Sequence, residues 1–120
     1  MSQQNKLIQT KDINKIKQYF TEPGFNPIKP VILASNGQTL LGARYCSIQG
    51  IAAAQMRLKN STSGEIQSLY QTIYDKKTFK TLPDIIEGEK PLTVYSKGLA
   101  IDIWLEKGLL FALTKEKNAK

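Results

Sequence analysis

The chain has 120 residues, of which 41% are hydrophobic, and its formal net charge is +7. This length is typical of one domain with one modest core, and no run of about 18 apolar residues is long enough to span a membrane. The sequence contains no histidine and a single cysteine, Cys46. It therefore excludes catalysis by an imidazole base, an intrachain disulfide and a zinc site made of several cysteines.

The positive charge is concentrated near the two ends of the chain. The lysines concerned are Lys6, Lys11, Lys15, Lys17, Lys29, Lys115, Lys117 and Lys120. If these lysines converge on one face, they form a surface for nucleic acid, and binding would fall steeply with salt. A lysine-rich surface that serves solubility explains the same charge without a nucleic-acid partner.

Residues 1–10 are polar, which predicts a flexible N-terminus. Ile13, Ile16 and Phe20 then recur at helical spacing, so the pattern predicts a short amphipathic helix over residues 11–20. Such a helix is too short to be stable alone, and we expect it to pack on the rest of the fold.

The rest of the chain predicts a meandering sheet, because runs of strand-forming residues are separated by turn residues and by a long loop over residues 75–91. The predicted strands are Thr39–Ser47, Ala52–Lys59, Glu65–Tyr74, Leu92–Tyr95, Leu99–Leu105 and Leu109–Thr114. Gly42, inside the first of them, indicates a bulge or a close backbone approach. Lys107 and Gly108 fit a tight hairpin turn.

The predicted class is α+β, with one short N-terminal amphipathic helix packed on a mostly antiparallel meandering sheet of five to six strands. We expect a single domain over residues 11–114. The lysine-rich residues 115–120 predict a basic disordered tail.

Four residues of the predicted sheet are candidates for contact with a partner: Arg44, Gln55, Tyr70 and Trp104. Trp104 lies on the side of its strand opposite the aliphatic residues, beside Asp102, and an indole there either forms part of a binding surface or packs against the helix or the long loop.

Cys46 is a possible redox thiol. Arg44 lies two residues earlier on the same side of the strand, and a nearby cation lowers a thiol pKa. The alternative is a small buried strand residue beside a surface arginine. An enzyme is not predicted, because this thiol is the sole candidate for a catalytic group. No cofactor or metal is expected.

Several short segments share a pattern with a known family. They are Leu40–Cys46 with an L-x-G-x-R motif, Ala52–Met56, Ser68–Tyr70, Gly98–Trp104 with a G-x-x-x-x-x-W motif, and Leu109–Leu113. In this order they resemble the C-terminal, periplasmic sensor domain of bacterial transmembrane anti-sigma factors. The resemblance covers about residues 11–114.

The resemblance implies a regulatory module. The sequence lacks the zinc-binding domain with which that family holds its sigma factor, and it lacks the transmembrane helix. A chain that is complete would be cytoplasmic, whereas an excised sensor domain would be periplasmic; the opening Met-Ser-Gln-Gln favours the former.

We therefore predict a small non-enzymatic regulatory or protein-interaction domain with a protein partner. Its distinguishing feature would be an exposed apolar patch or a sheet edge that accepts a partner strand. The alternative is a basic nucleic-acid-binding accessory protein, whose contacts would be the terminal lysines.

Overall fold

The computed structural model describes residues 8–19, 27–28, 30, 37–48, 50–79, 82–84 and 88–116. Within these ranges seven strands form one antiparallel sheet in the order β1-β2-β3-β4-β7-β6-β5. The elements are β1 (Ile8–Gln9), α1 (Ile13–Tyr19), β2 (Gln38–Ile48), β3 (Ile51–Asn60), β4 (Ile66–Ile73), β5 (Leu92–Ser96), β6 (Leu99–Glu106) and β7 (Leu109–Glu116).

The α+β prediction is wrong, because the described chain is nearly all antiparallel strand and has seven strands rather than five or six. The predicted helix is reduced to the seven residues of α1. Among the side chains of α1 that the structure describes, that of Ile16 alone is completely buried, so α1 does not form a layer of its own. β1 was missed because two residues in a polar segment carry no alternation to detect.

The six predicted strands are all present, and their bounds differ from the prediction by one or two residues. Alternating side chains and turn residues mark them strongly in the sequence. The predicted hairpin turn is confirmed, since Lys107 and Gly108 both have positive φ, 54° and 77°. β1 and the end of β7 extend the sheet beyond the predicted limits at residues 11 and 114; residues 1–7 and 117–120 lie outside the described ranges.

The two faces of the sheet are unlike. The inner face carries the core, a cluster that joins Ile16 of α1 to buried side chains of β2, β3, β4, β6 and β7. Its fully buried members include Met56, Leu58, Leu69, Trp104 and Phe111. The outer face is the opposite side of the same strands. Because side chains alternate along a strand, the register assigns every strand residue to one face or the other.

Gln71 fixes the connection that precedes β2. Its side-chain oxygen accepts a hydrogen bond from the Ile28 backbone N–H, and its Nε2 donates to the Ile28 carbonyl, both at 2.9 Å. Gln71 is fully buried, as is Pro27 beside Ile28. One amide side chain thus replaces a strand partner for Ile28 and holds that segment against the sheet.

Gly42 lies at the bulge of β2, where the register with β3 shifts between Leu40 and Gly42. A Cβ atom at Gly42 would overlap the carbonyl oxygen of Ile8 in β1. The Thr10 backbone N–H then donates to the Leu41 carbonyl at 3.0 Å. The bulge and the close approach expected at this glycine are both confirmed, and they allow β1 to pair with β2 at this point.

The sheet and α1 make a single compact domain with a radius of gyration of 13.9 Å. Among the described residues, no helix has the length and apolar character that crossing a membrane requires.

Candidate partner-binding surface

Three of the four predicted partner contacts form a row on the outer face. Arg44 in β2 is opposite Gln55 in β3, and Gln55 is opposite Tyr70 in β4. The Arg44 Nε donates to the Gln55 Oε1 at 2.9 Å, and the Gln55 Nε2 donates to the Ser68 Oγ at 3.3 Å. The structure therefore brings these residues together as one polar strip, with Arg44 exposed to solvent.

Trp104 lies on the inner face and is fully buried. Its ring stacks on Phe111 with a centroid distance of 5.4 Å and an interplanar angle of 14°. Its Nε1 donates to the Glu106 Oε1 at 3.3 Å. Trp104 is thus part of the core that includes Ile16 and does not lie on the surface where a partner contact was expected.

The row that begins at Arg44 continues to the opposite edge of the sheet. Tyr70 is opposite Ala112, Ala112 is opposite Ile103, and Ile103 is opposite Leu92. The row is polar at β2 and apolar at β5, and we refer to the outer face of β7, β6 and β5 as the apolar half. The aliphatic residues of β6, at positions 99, 101, 103 and 105, are half-buried on this apolar half, while the fully buried positions of β6 face inward.

The outer face contains a cavity of about 420 Å³, which lies between side chains of the sheet and Thr78, Phe79 and Leu82. It is lined by Ile48, Thr78, Phe79, Leu82, Leu92, Ile103, Leu110 and Ala112. Among the described residues that line the cavity, Thr78 alone is polar, so the cavity suits an apolar group. Residues 75–91 are predicted to be a loop, and Phe79 and Leu82 are the apolar residues of that stretch that signal a contact with the sheet.

A turn after β4 positions the wall of the cavity. The Phe79 backbone N–H donates to the Asp75 carbonyl at 2.8 Å, and the Thr78 hydroxyl donates to the Asp75 Oδ2 at 2.8 Å. The Phe79 ring stacks on Tyr74 with a centroid distance of 6.4 Å. Asp75 therefore bends the chain back so that Phe79 lies over the outer face.

β5 forms an open edge of the sheet, because in the described part of the chain it pairs with β6 alone. Leu92 and Tyr95 in this strand are 47% and 66% exposed. Lys97 and Gly98 form a two-residue turn in which both φ angles are positive, 52° and 80°. In such a hairpin the two residues that flank the turn, Ser96 and Leu99, form a hydrogen-bonded pair. Hydrogen-bonded and non-hydrogen-bonded pairs then alternate along the strands, and Thr93–Asp102 is a non-hydrogen-bonded pair. The backbone N–H and C=O of Thr93 therefore face away from β6.

Cys46 lies on the outer face of β2 and is half-buried. Burial raises the pKa of the Cys46 thiol, and the positive charge of Arg44 offsets this only in part. The thiol is therefore protonated near neutral pH, which weighs against the possible redox role.

The predicted nucleic-acid contacts are distributed over separate elements. Lys11 precedes α1, Lys15 and Lys17 lie in it, and Lys115 lies in β7. Lys6, Lys29, Lys117 and Lys120 fall outside the described residues. Over the described ranges, no group of three or more histidine, cysteine or acidic side chains has a geometry that would hold a metal ion.

No family model, curated protein or solved structure matches the chain. The function is therefore inferred from the surface of the molecule. Its features are the polar strip, the apolar cavity and the open edge of β5, and the first and last are joined by one row of the sheet.

Proposed function

We propose that the chain is a small, non-enzymatic protein-interaction domain that accepts an extended segment of a partner protein along β5. The open edge of β5 is the observation that carries the proposal. Sheet proteins usually protect such edges with lysine, proline, a bulge or a covering segment. β5 has no charged residue and no proline between Leu92 and Ser96, and its exposed residues include Leu92 and Tyr95.

An added strand would bind mainly through its backbone. Thr93 offers an outward N–H and C=O, and main-chain hydrogen bonds of this kind supply affinity while neighbouring pockets supply specificity. No catalytic group is needed for this activity. The resemblance of the sequence to anti-sigma factor sensor domains supports a regulatory role, in which occupancy of the edge is the signal.

Replacing Thr93 by proline tests the proposal. Thr93→Pro removes the outward N–H and leaves the β5–β6 hydrogen bonds in place, since proline is compatible with outward positions of edge strands. Thr93→Val is the matched control, because it removes the hydroxyl that donates to the Asp102 Oδ1 at 2.7 Å and keeps the N–H.

The probe is a nine-residue peptide obtained by selecting a random peptide library on the intact chain. We expect wild type and Thr93→Val to bind it equally and Thr93→Pro to bind it at least about tenfold more weakly, by isothermal titration calorimetry. Thermal melts show whether both variants are folded. The proposal fails if no peptide is enriched, or if a folded Thr93→Pro variant binds as well as wild type.

A nucleic-acid-binding function is the second candidate, and the net charge of +7 supports it. Fluorescence anisotropy with a labelled 20-nucleotide single strand and the matching duplex would measure it. Tight binding that is weakened by Lys11→Gln and Lys15→Gln together would favour this function. Under the proposed function, we expect weak binding that disappears between about 50 and 200 mM salt, because the lysines then act only as diffuse charge.

A further inference from the structure

A strand added to β5 extends the rows of the sheet by one position. On the outer face two of these rows end in the aliphatic pairs Ile103–Leu92 and Ile101–Val94, and a third ends in the pair Leu99–Ser96. Residues opposite each other on paired strands point to the same face. The partner residues opposite Leu92 and Val94 therefore extend an apolar surface, and they are two positions apart in the partner sequence.

The cavity lies at the Leu92 end of this edge. Leu92 forms part of its lining and is 47% exposed, while Phe79 and Leu82 contribute from the segment above the sheet. A partner side chain opposite Leu92 is adjacent to this space, whereas one opposite Val94 is not, because Val94 does not line the cavity. The two apolar positions of the partner are thus unequal in the size of side chain that they accommodate.

The charges at the two ends of β5 also differ. Lys97 is exposed in the turn that follows the strand. At the other end, Lys90 is exposed beside Glu89, whose Oε1 accepts a hydrogen bond from the Asp84 backbone N–H at 2.7 Å. The turn end is therefore positive, while acidic groups accompany the lysine at the cavity end. Complementary charge favours a partner whose acidic residue lies at the turn end.

We infer that the partner is an extended peptide segment with a large apolar residue opposite Leu92, a second apolar residue opposite Val94, and an acidic residue beside Lys97. This inference rests on the proposed strand-accepting function and adds the register of the partner. The large residue anchors one end by entering the cavity, and the ion pair with Lys97 fixes the other end.

Filling the cavity tests the anchor. Ala112→Leu adds volume to a lining residue, and Thr114→Leu is the control on the same strand and face, outside the lining. A random peptide library is selected separately on each folded protein. We expect wild type and Thr114→Leu to select leucine, phenylalanine or methionine at the anchor position and Ala112→Leu to select alanine or valine there. Unchanged selection on Ala112→Leu overturns the anchor.

Reversing the charge of Lys97 tests the proposed ion pair at the turn end of β5. Lys97→Asp keeps a residue that tolerates positive φ, and Lys90→Asp is the control at the cavity end. With the peptide selected on wild type, we expect Lys97→Asp to weaken binding about tenfold and Lys90→Asp to change it less than about threefold. Replacing the acidic residue of the peptide by lysine should restore binding to Lys97→Asp. Equal effects of the two substitutions would contradict the assignment.

Different results would contradict the strand-accepting function and the inferred register of the partner. If Thr93→Pro abolishes peptide binding but the cavity and charge substitutions leave selection and affinity unchanged, the inferred register is wrong and the interaction function stands. If Thr93→Pro has no effect on binding, the peptide does not use the edge of β5, and both are wrong.

Discussion

Gln71 shows how a single buried polar side chain can determine the path of a segment that has no strand partner. Both of its polar atoms bond to the backbone of Ile28, and its Nε2 also lies 2.9 Å from the Met56 sulfur. Nothing in the alternation of β4 distinguishes this glutamine from Gln67, so its role depends on tertiary contacts. The sequence therefore predicts the strand but does not predict the contact with Ile28.

We expect Gln71→Leu to lower the free energy of unfolding by about 2–3 kcal/mol, because it leaves the buried N–H and C=O of Ile28 without their partner. Urea denaturation followed by the fluorescence of Trp104, the single tryptophan, measures this change. Gln55→Leu is the control, since Gln55 bonds only to side chains of the polar strip, and we expect it to change stability by less than about 0.5 kcal/mol.

Cys46 predicts a pH dependence of stability. Burial raises the pKa of its thiol in the folded state above that of the unfolded chain. The folded state therefore favours the protonated thiol, and this stabilisation is present below the unfolded pKa and lost as the pH rises through the folded one. As the pH rises above about 8.5, wild type should lose stability more steeply than Cys46→Ala, as urea denaturation at each pH would show. Parallel pH profiles would contradict the assignment.

At the scale of elements, the sequence predicts the strands but does not predict which face of each strand is buried. Alternation and turn residues predict β2 to β7 because they are local properties of the sequence. The aliphatic stripe of β6 suggested one apolar side, yet the fully buried side is the one that carries Trp104 and Glu106. Which face is fully buried depends on the segments that cover it, and the alternation within the strands does not encode the contact of Phe79 with the outer face.

β1 and β2 meet where Gly42 leaves room for the Ile8 carbonyl. We expect Gly42→Ala to cost about 1–3 kcal/mol of stability, since the added methyl group must displace β1. Hydrogen exchange should then accelerate selectively at the Thr10 amide, which donates to the Leu41 carbonyl. Ser47→Ala, at an exposed position of the same strand, serves as the control, and equal exchange rates in all three proteins would show that β1 does not depend on this glycine.

At the scale of the whole molecule, the open edge of β5 raises the question of self-association. Antiparallel pairing of two copies about Val94 would place Lys97 of one copy opposite Pro91 of the other, next to Lys90. Lys97 of each copy then approaches Lys90 of the other, with Glu89 beside it, and the two chains, each of net charge +7, repel each other. The lysines that favour an acidic partner thus disfavour a second copy.

Sedimentation equilibrium should therefore find a monomer at about 50 mM salt and increasing self-association at about 1 M, where the Debye length is about 3 Å. Thr93→Pro should suppress the association at high salt, because the outward N–H is lost. A stable dimer at low salt would show that the charges at the ends of β5 do not govern pairing.

The strand order also constrains how the chain is assembled during synthesis. β7 is the last strand of the sheet in sequence, yet it lies between β4 and β6. It therefore connects the strands β1 to β4 with the hairpin of β5 and β6. Until β7 has been translated, β4 has an uncovered edge and the β5–β6 hairpin has nowhere to attach. β7 must therefore leave the ribosome before the sheet can close, and the exposed β4 edge is the place where a nascent chain would need protection from aggregation.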